Sequence, residues 1–295
     1  MGYLSEDALE LEDLQQARAR VAAAVAEVDR IVAVMSGKGG VGKSVVAVNL
    51  ALALAQRGLR VGVFDADLQG PSVPKMLGLR GAPLRVGSDE RLRPVSGPAG
   101  LAVQSMDFFL QGSEPLEWEG PMGEAGPLRS AMESAAIADL LGRTAWGVLD
   151  VLVVDLPPGA DRLPEIASWL PRAMALAVTI PTEVALLAVG RSLARARSAR
   201  VPLIGLVENC ASSVCAECGH EGPMYQEASV ERMARQQGVE VVARLPFDPA
   251  LARASDAGVP YLEGAGRTSA AGRAFAGLAQ RIATLQDVSE EADSW

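Results

Sequence analysis

The chain has 295 residues, 49% hydrophobic but only 4% aromatic, so it can bury a large core packed mainly from Leu, Val and Ala. Its net charge of −9 argues against a nonspecific grip on nucleic acid or on anionic membrane, and no uncharged apolar run reaches the roughly eighteen residues of a membrane span. The acidic start SEDALELEDL is unlike a secretory signal, and three cysteines without such a signal point to the cytoplasm, where clustered cysteines mean metal more often than disulfide.

An amphipathic helix is expected within residues 1–29. Ser5 is placed to cap it, and Leu14, Val21, Val25 and Val28 recur at helical spacing. Residues 30–284 then read as one domain, and 285–295 as an acidic tail. Ile31–Met35 is a short apolar run of the buried parallel-strand kind, and it leads into MSGKGGVGKS, residues 35–44. Gly37, four residues, then Gly42, Lys43 and Ser44 fit the phosphate-loop pattern G-x-x-x-x-G-K-S/T. The run from Val45 to Ala55 is apolar nearly all round and ends before Gly58, a helix stop. Strand, loop and helix are therefore in the required order. A glycine-rich turn that binds nothing would leave that order, and the Lys-Ser pair, without a reason.

The physics of the loop is direct. Amides of Gly37, Gly39, Gly40, Val41, Gly42 and Val45 can approach phosphate oxygens, and the helix N-terminus adds a positive dipole. Lys43 is expected to reach the β- and γ-phosphates, and the Ser44 hydroxyl to ligate Mg²⁺. Lys38 is an extra lysine that the ordinary pattern does not use. It is badly placed for its own γ-phosphate and better placed to reach a nucleotide held by a second chain.

A strand over 60–65 opens VFDADLQGPSVPKMLG, with Asp65 and Asp67 at its carboxyl end, where a parallel sheet keeps its ligand chemistry. Residues 79–100 read as a surface excursion with a hairpin, 101–105 as a strand, 111–127 as a loop and 128–141 as a helix. The strand 148–155 ends VLVVDLPPG. Four apolar residues before Asp155 make the arrangement that holds Mg²⁺ in nucleotide hydrolases, and Pro157, Pro158 and Gly159 stiffen the turn. Further strands are expected at 173–180, 202–207 and 239–245, and helices at 161–170, 184–198, 228–237 and 268–284. In the last of these Phe275, Leu278 and Ile282 are expected to face the sheet. Such alternation predicts an α/β fold, a doubly wound and mainly parallel sheet with helices on both faces.

Residues 207–226, VENCASSVCAECGHEGPMYQ, read as a loop that carries all three cysteines and the single histidine. Cys215 and Cys218 form a C-x-x-C pair, which supplies half of a four-ligand metal site. Two arrangements supply the rest. Two chains can pool their pairs around a 4Fe–4S cluster, or Cys210, Cys215, Cys218 and His220 of one chain can surround Zn²⁺.

The loop GKGGVGKS resembles the deviant Walker A loop of the MinD/Mrp/nitrogenase-iron-protein class, in which the extra lysine, here Lys38, acts across a nucleotide sandwich dimer. DADLQGPSVPKMLG, WEGPM, DLPPG, IPTEVALLAV, LVEN with CxxCG, and DPALARASDAGVP follow in order over most of residues 30–262. That series is similar to the Mrp/ApbC family of P-loop ATPases, carriers of iron–sulfur clusters. The resemblance implies a homodimer that binds and slowly hydrolyses ATP. It also implies a 4Fe–4S cluster bridged between subunits by Cys215 and Cys218, and apo iron–sulfur proteins as acceptors. By the same resemblance Asp67 orients the attacking water, Asp65 supports the Mg²⁺ shell, Asp155–Gly159 form a second switch, Asn209 meets adenine, and Pro246 and Asp248 lie on the nucleotide side. The absence of an Asn-Lys-x-Asp segment is in keeping with ATP rather than GTP. Three departures stand out. Glu119 replaces an arginine in WRGPM, DLPPGADR replaces DLPPGTGD, and Cys210 replaces a methionine. The competing expectations are a MinD/ParA-like dimerising switch and an ATPase with a structural zinc.

Overall fold

The computed structural model describes residues 6–109, 127–159, 162–214, 221–225 and 229–285. The chain opens with α1 (Glu6–Ala24), followed by β1 (Val28–Ser36), α2 (Lys43–Ala55), β2 (Val61–Asp65) and the short α3 (Val73–Met76). The 79–100 excursion does hold a hairpin, β3 (Arg85–Val86) against β4 (Leu92–Arg93). It continues into β5 (Val95–Ser96) and β6 (Ala102–Ser105). Then come α4 (Pro127–Arg143), β7 (Leu149–Asp155), α5 (Arg162–Trp169), β8 (Ala173–Thr179) and α6 (Glu183–Ser198). The last part holds β9 (Leu203–Val214), β10 (Glu221–Pro223), α7 (Val230–Gln236), β11 (Val241–Phe247), α8 (Pro249–Ala257) and α9 (Ala270–Ala283).

The strands of the main sheet run β10-β9-β8-β1-β7-β2-β6-β5, with β11 also paired to β9. The pairs β1–β7, β1–β8, β2–β7, β2–β6, β8–β9 and β9–β11 are parallel. Only β5 on β6 and β10 on β9 run antiparallel within it. The carboxyl ends of the central strands therefore share one edge, and Asp65 of β2 is the register partner of Asp155 of β7.

Both faces of this sheet are covered, which explains the continuous apolar strands. Ile31, Ala33 and Met35 of β1 join a core with α1, α4, α5, α6 and α7, while Val32 and Val34 join a second core with α2, α3, α8 and α9. Helix α2 lacks a polar stripe because it lies between the sheet and α9, and Val46 through Leu54 are buried. Phe275, Leu278 and Ile282 of α9 are buried as expected. No helix among the described residues is long and apolar enough to cross a membrane.

Some boundaries differ from the sequence reading. Helix α1 stops at Ala24, and Val28 already pairs with Leu149 of β7, so Val25 and Val28 are buried by a turn and a strand rather than by a helix face. Leu14 is exposed. Ser5 and the 111–126 stretch lie outside the described residues. The stretch 207–226 is not simply a loop, since β9 runs on to Val214 and folds back on β10. Helix α8 was not anticipated, although its sequence carries the signals. Asp248 caps it through Ala250 N at 2.8 Å, Pro249 opens it, and Gly258 closes it at φ 69°.

Candidate functional site

The phosphate loop leaves β1 at Ser36, whose Oγ donates to Lys38 O at 3.0 Å. Two glycines are there for different reasons. A Cβ on Gly37 would sit 2.2 Å from the Ala188 carbonyl carbon, so only glycine lets α6 pass this close. Gly42 opens α2 at φ 83°, the left-handed region, and the space a Cβ would take is filled by Asn209 Nδ2 at 2.3 Å. Gly39 and Gly40 are exposed at the tip. Lys38, the tip glycines, Ser44, Asp67, Ser72 and Pro158 line a pocket of 220 Å³, with Lys43 at its floor.

Lys43 is buried, 7% exposed, and its Nζ lies 2.5 Å from Asp155 Oδ1 and 3.2 Å from Ser44 Oγ. Asp155 Oδ2 is buried without a hydrogen-bond partner. Asp65 is fully buried and organises the turn that follows it. Its carboxylate accepts from Asp67 N at 3.2 Å, Ser72 N at 3.0 Å, Val73 N at 3.1 Å and Ser105 Oγ at 3.3 Å. Burial, reinforced by the charge of Asp155, pushes Asp65 up to about 8, against the pull of the Val73 amide and Lys43. Burial likewise raises Asp155, and Lys43 opposes the shift. Asp67, two residues on, accepts from Gly70 N at 3.2 Å and faces the pocket.

The donors gathered here are carboxylate and hydroxyl oxygens, the set a hard divalent cation prefers, and the orphaned Asp155 Oδ2 is a lone pair in need of one. Among the described residues no three His, Cys, Asp or Glu side chains converge on a metal position. Mg²⁺ commonly binds through one or two carboxylates together with substrate phosphates. Sequence reasoning missed Ser105, and its signal was a hydroxyl ending the strand beside β2, in register with Asp65.

Asn209 sits against the loop, where its Nδ2 donates to Val41 O at 2.9 Å. Pro246 lies near the end of β11, on the same sheet edge. Asp248 is committed locally, as the cap of α8 and as acceptor from the Tyr261 hydroxyl. Beyond Asn209 the strand changes character. From Asn209 to Ser213, β9 advances four residues while β11 advances two, from Leu245 to Phe247. Cys210 opens this bulge at φ 54°, unusual for a residue with a Cβ. Its thiol is half-buried, and burial pushes it up from its ordinary value. Glu208 pairs with Arg244 at 3.2 Å, and Arg244 also meets Glu231. Cys215, Cys218 and His220 lie outside the described residues, in the connection between β9 and β10.

The profile of the ParA family described as NUBPL iron-transfer P-loop NTPase matches residues 27–283. The iron-sulfur cluster carrier protein of Saccharolobus solfataricus is 42% identical over 233 residues, 78% of this chain and 75% of that one. A nucleotide-binding protein from Archaeoglobus fulgidus, solved in complex with ADP, is 30% identical, with a TM-score of 0.71 over 86% of this chain and 96% of the other. The MinD cell division protein of Aquifex aeolicus shares the fold at 20% identity, with a TM-score of 0.60 over 87% and 98%.

Proposed function

The chain belongs to the iron-transfer P-loop NTPases, and from that premise we propose that it is an ATP-hydrolysing carrier that delivers an iron–sulfur cluster to apo-proteins. The observation that carries the nucleotide half is Asp155, register partner of Asp65, bonded to Lys43 beside Ser44 at the floor of the phosphate-loop pocket. The loop amides and Lys43 hold the phosphates. Ser44 and Asp155 would hold Mg²⁺, with Asp65 behind them, and the ion supplies charge neutralisation on the phosphoryl oxygens. Asp67 faces the same pocket and orients the attacking water. Lys38, at the rim, reaches the nucleotide of a second subunit.

The cargo half rests on the C-x-x-C pair and on the carrier name of a relative that aligns over most of both chains. A 4Fe–4S cluster takes four thiolates, so Cys215 and Cys218 of two subunits hold one cluster between them. Beyond the bulge at Cys210, β9 pairs with β10 through Ser212, Ser213 and Val214, the last described residues before the C-x-x-C pair.

Anaerobic reconstitution with iron and sulfide tests this reading. The expected product is a dimer in solution with about four iron and four sulfide, lost in the Cys215→Ser/Cys218→Ser variant while ATP binding persists. Metal that instead survives the double substitution, or a monomer holding one zinc that Cys210→Ser removes, would overturn it.

A further inference from the structure

One buried carboxyl group has no part in the site described so far. Glu133 of α4 is 4% exposed, and it stands between the turn that carries Asp67 and the turn that follows Asp155. Gln69, two residues after Asp67, donates its side-chain amide to Glu133 Oε1. Arg162, the first residue of α5 and the last of the run DLPPGADR, donates to Glu133 Oε2 at 2.6 Å and pairs with Glu165 at 3.2 Å. Between these groups lies a 370 Å³ pocket walled by Asp67, Gln69, Gly70, Pro157 and Pro158.

We propose that Glu133 is a positioning residue. It spans the two turns that carry the nucleotide carboxylates and fixes their separation, so that a change at one turn is passed to the other. The inference rests on the hydrolysis reading and adds a residue to it.

Stability alone is a poor reason for the arrangement. Burying an ion pair costs the hydration of both charges, and well-packed apolar side chains of the same size are often as good or better. What a carboxylate adds is two oxygens that accept from two different segments at once, in a defined geometry. The backbone already ties these turns at their base, through Ala66 N to Asp155 O at 2.9 Å, and the second turn is also held to the end of β1 by Gly159 N to Ser36 O at 3.1 Å. Glu133 supplies the tie on the outer side, away from the phosphate loop. Helix α4 is in turn fixed to α5, since Trp169 Nε1 donates to Ser134 Oγ at 3.0 Å. The phosphates are held elsewhere, by the loop, so loosening the outer tie should disturb the placement of Asp67 and spare binding.

The test is a charge exchange with three readouts: ATP affinity by calorimetry, steady-state turnover, and amide exchange of residues 66–73 with and without ATP. Arg162→Glu and Glu133→Arg should each lower kcat about tenfold while ATP affinity stays within about twofold, a split expected of lost positioning. Each should also lose the protection that ATP confers on residues 66–73. The double variant Glu133→Arg/Arg162→Glu restores an ion pair, and Gln69 can turn its carbonyl oxygen toward the new arginine. Turnover and protection should return to at least half of the parent value. The proposal is overturned if the exchanged pair melts like the parent yet stays as slow as the single variants. It is also overturned if the single variants keep parental turnover and protection. A parent that binds ATP without turnover would sink the hydrolysis reading. The exchange pattern, which needs binding alone, would then decide the fate of Glu133.

Discussion

The nucleotide loop and the cysteine hairpin leave neighbouring regions of one sheet but are held in opposite ways. The loop sits on the central strand β1, flanked by β7 and β8, and every charged group at its floor has a buried partner. The hairpin is the outer end of β9, past the point where pairing with β11 slips, where β9 pairs with the three-residue β10 and, at Ser213, with Phe247 of β11. The loop is bonded into the centre of the sheet, and the β9–β10 pair lies at its edge. Asn209 joins the two, since its side chain bonds the loop at Val41 and it precedes the bulge by one residue.

Lys43→Ala should break the comparison most cleanly. It removes a charged phosphate contact and leaves Asp155 buried without its partner. ATP affinity is expected to fall by about a hundredfold or more, and stability by about 3 kcal/mol. Titration calorimetry and urea unfolding read both effects. Iron loading at Cys215 and Cys218 should be untouched, and a variant that also fails to load iron would show that the hairpin depends on the loop.

Asn209→Ala should give the next largest effect, because it cuts the shared contact. The expectation is a drop in ATP affinity of about tenfold, the scale of one lost hydrogen bond plus an unpaired carbonyl. ATP should also lose its effect on cluster release to an acceptor. Release that still responds to ATP as in the parent would mean the two regions communicate elsewhere.

Asp65 gives the comparison a pH axis. The carboxyl ionises at its ordinary 3.8 when unfolded and near 8 in the fold. The folded chain therefore keeps a proton that the unfolded chain has released, and stability from this group is complete below about pH 4 and lost as the pH rises toward 8. Asp65→Asn does not titrate, so its melting temperature should gain on the parent between pH 5 and pH 8. A difference that stays flat across that range would count against the buried, raised carboxyl.

The smallest effect is at Cys210. Glycine adopts φ 54° freely, so Cys210→Gly should stabilise the fold by up to about 1 kcal/mol, and Cys210→Val should destabilise it by a similar amount. Both should keep their iron, which distinguishes a backbone role from a metal ligand.

The nucleotide site was legible because its signals are local. A strand, six loop residues, Lys-Ser and a helix lie within one stretch, and Asp65 and Asp155 each follow an apolar run. The polar ASSV segment that ends β9 lacks such a signal, because pairing with the distant β10 and β11 makes it a strand. The same holds for Glu133, an unremarkable residue of α4 until the fold brings it to Arg162 and Gln69. Helix α8 is different, since its Asp-Pro start and glycine stop were present in the sequence and were read only as part of a nucleotide-side segment.

The contact of Lys43 with Asp155 has a consequence for the order of events. The ammonium occupies one oxygen of the carboxylate that a divalent ion would need, at 2.5 Å, and the other oxygen is buried without a partner. Free magnesium arriving alone would meet a tethered cation on the same carboxylate, one that cannot diffuse away. Magnesium arriving with a nucleotide brings phosphates that draw the lysine off at the same moment. Loading would then be an exchange of one cation for another, and the protein would be expected to answer to the metal–nucleotide complex more than to free magnesium.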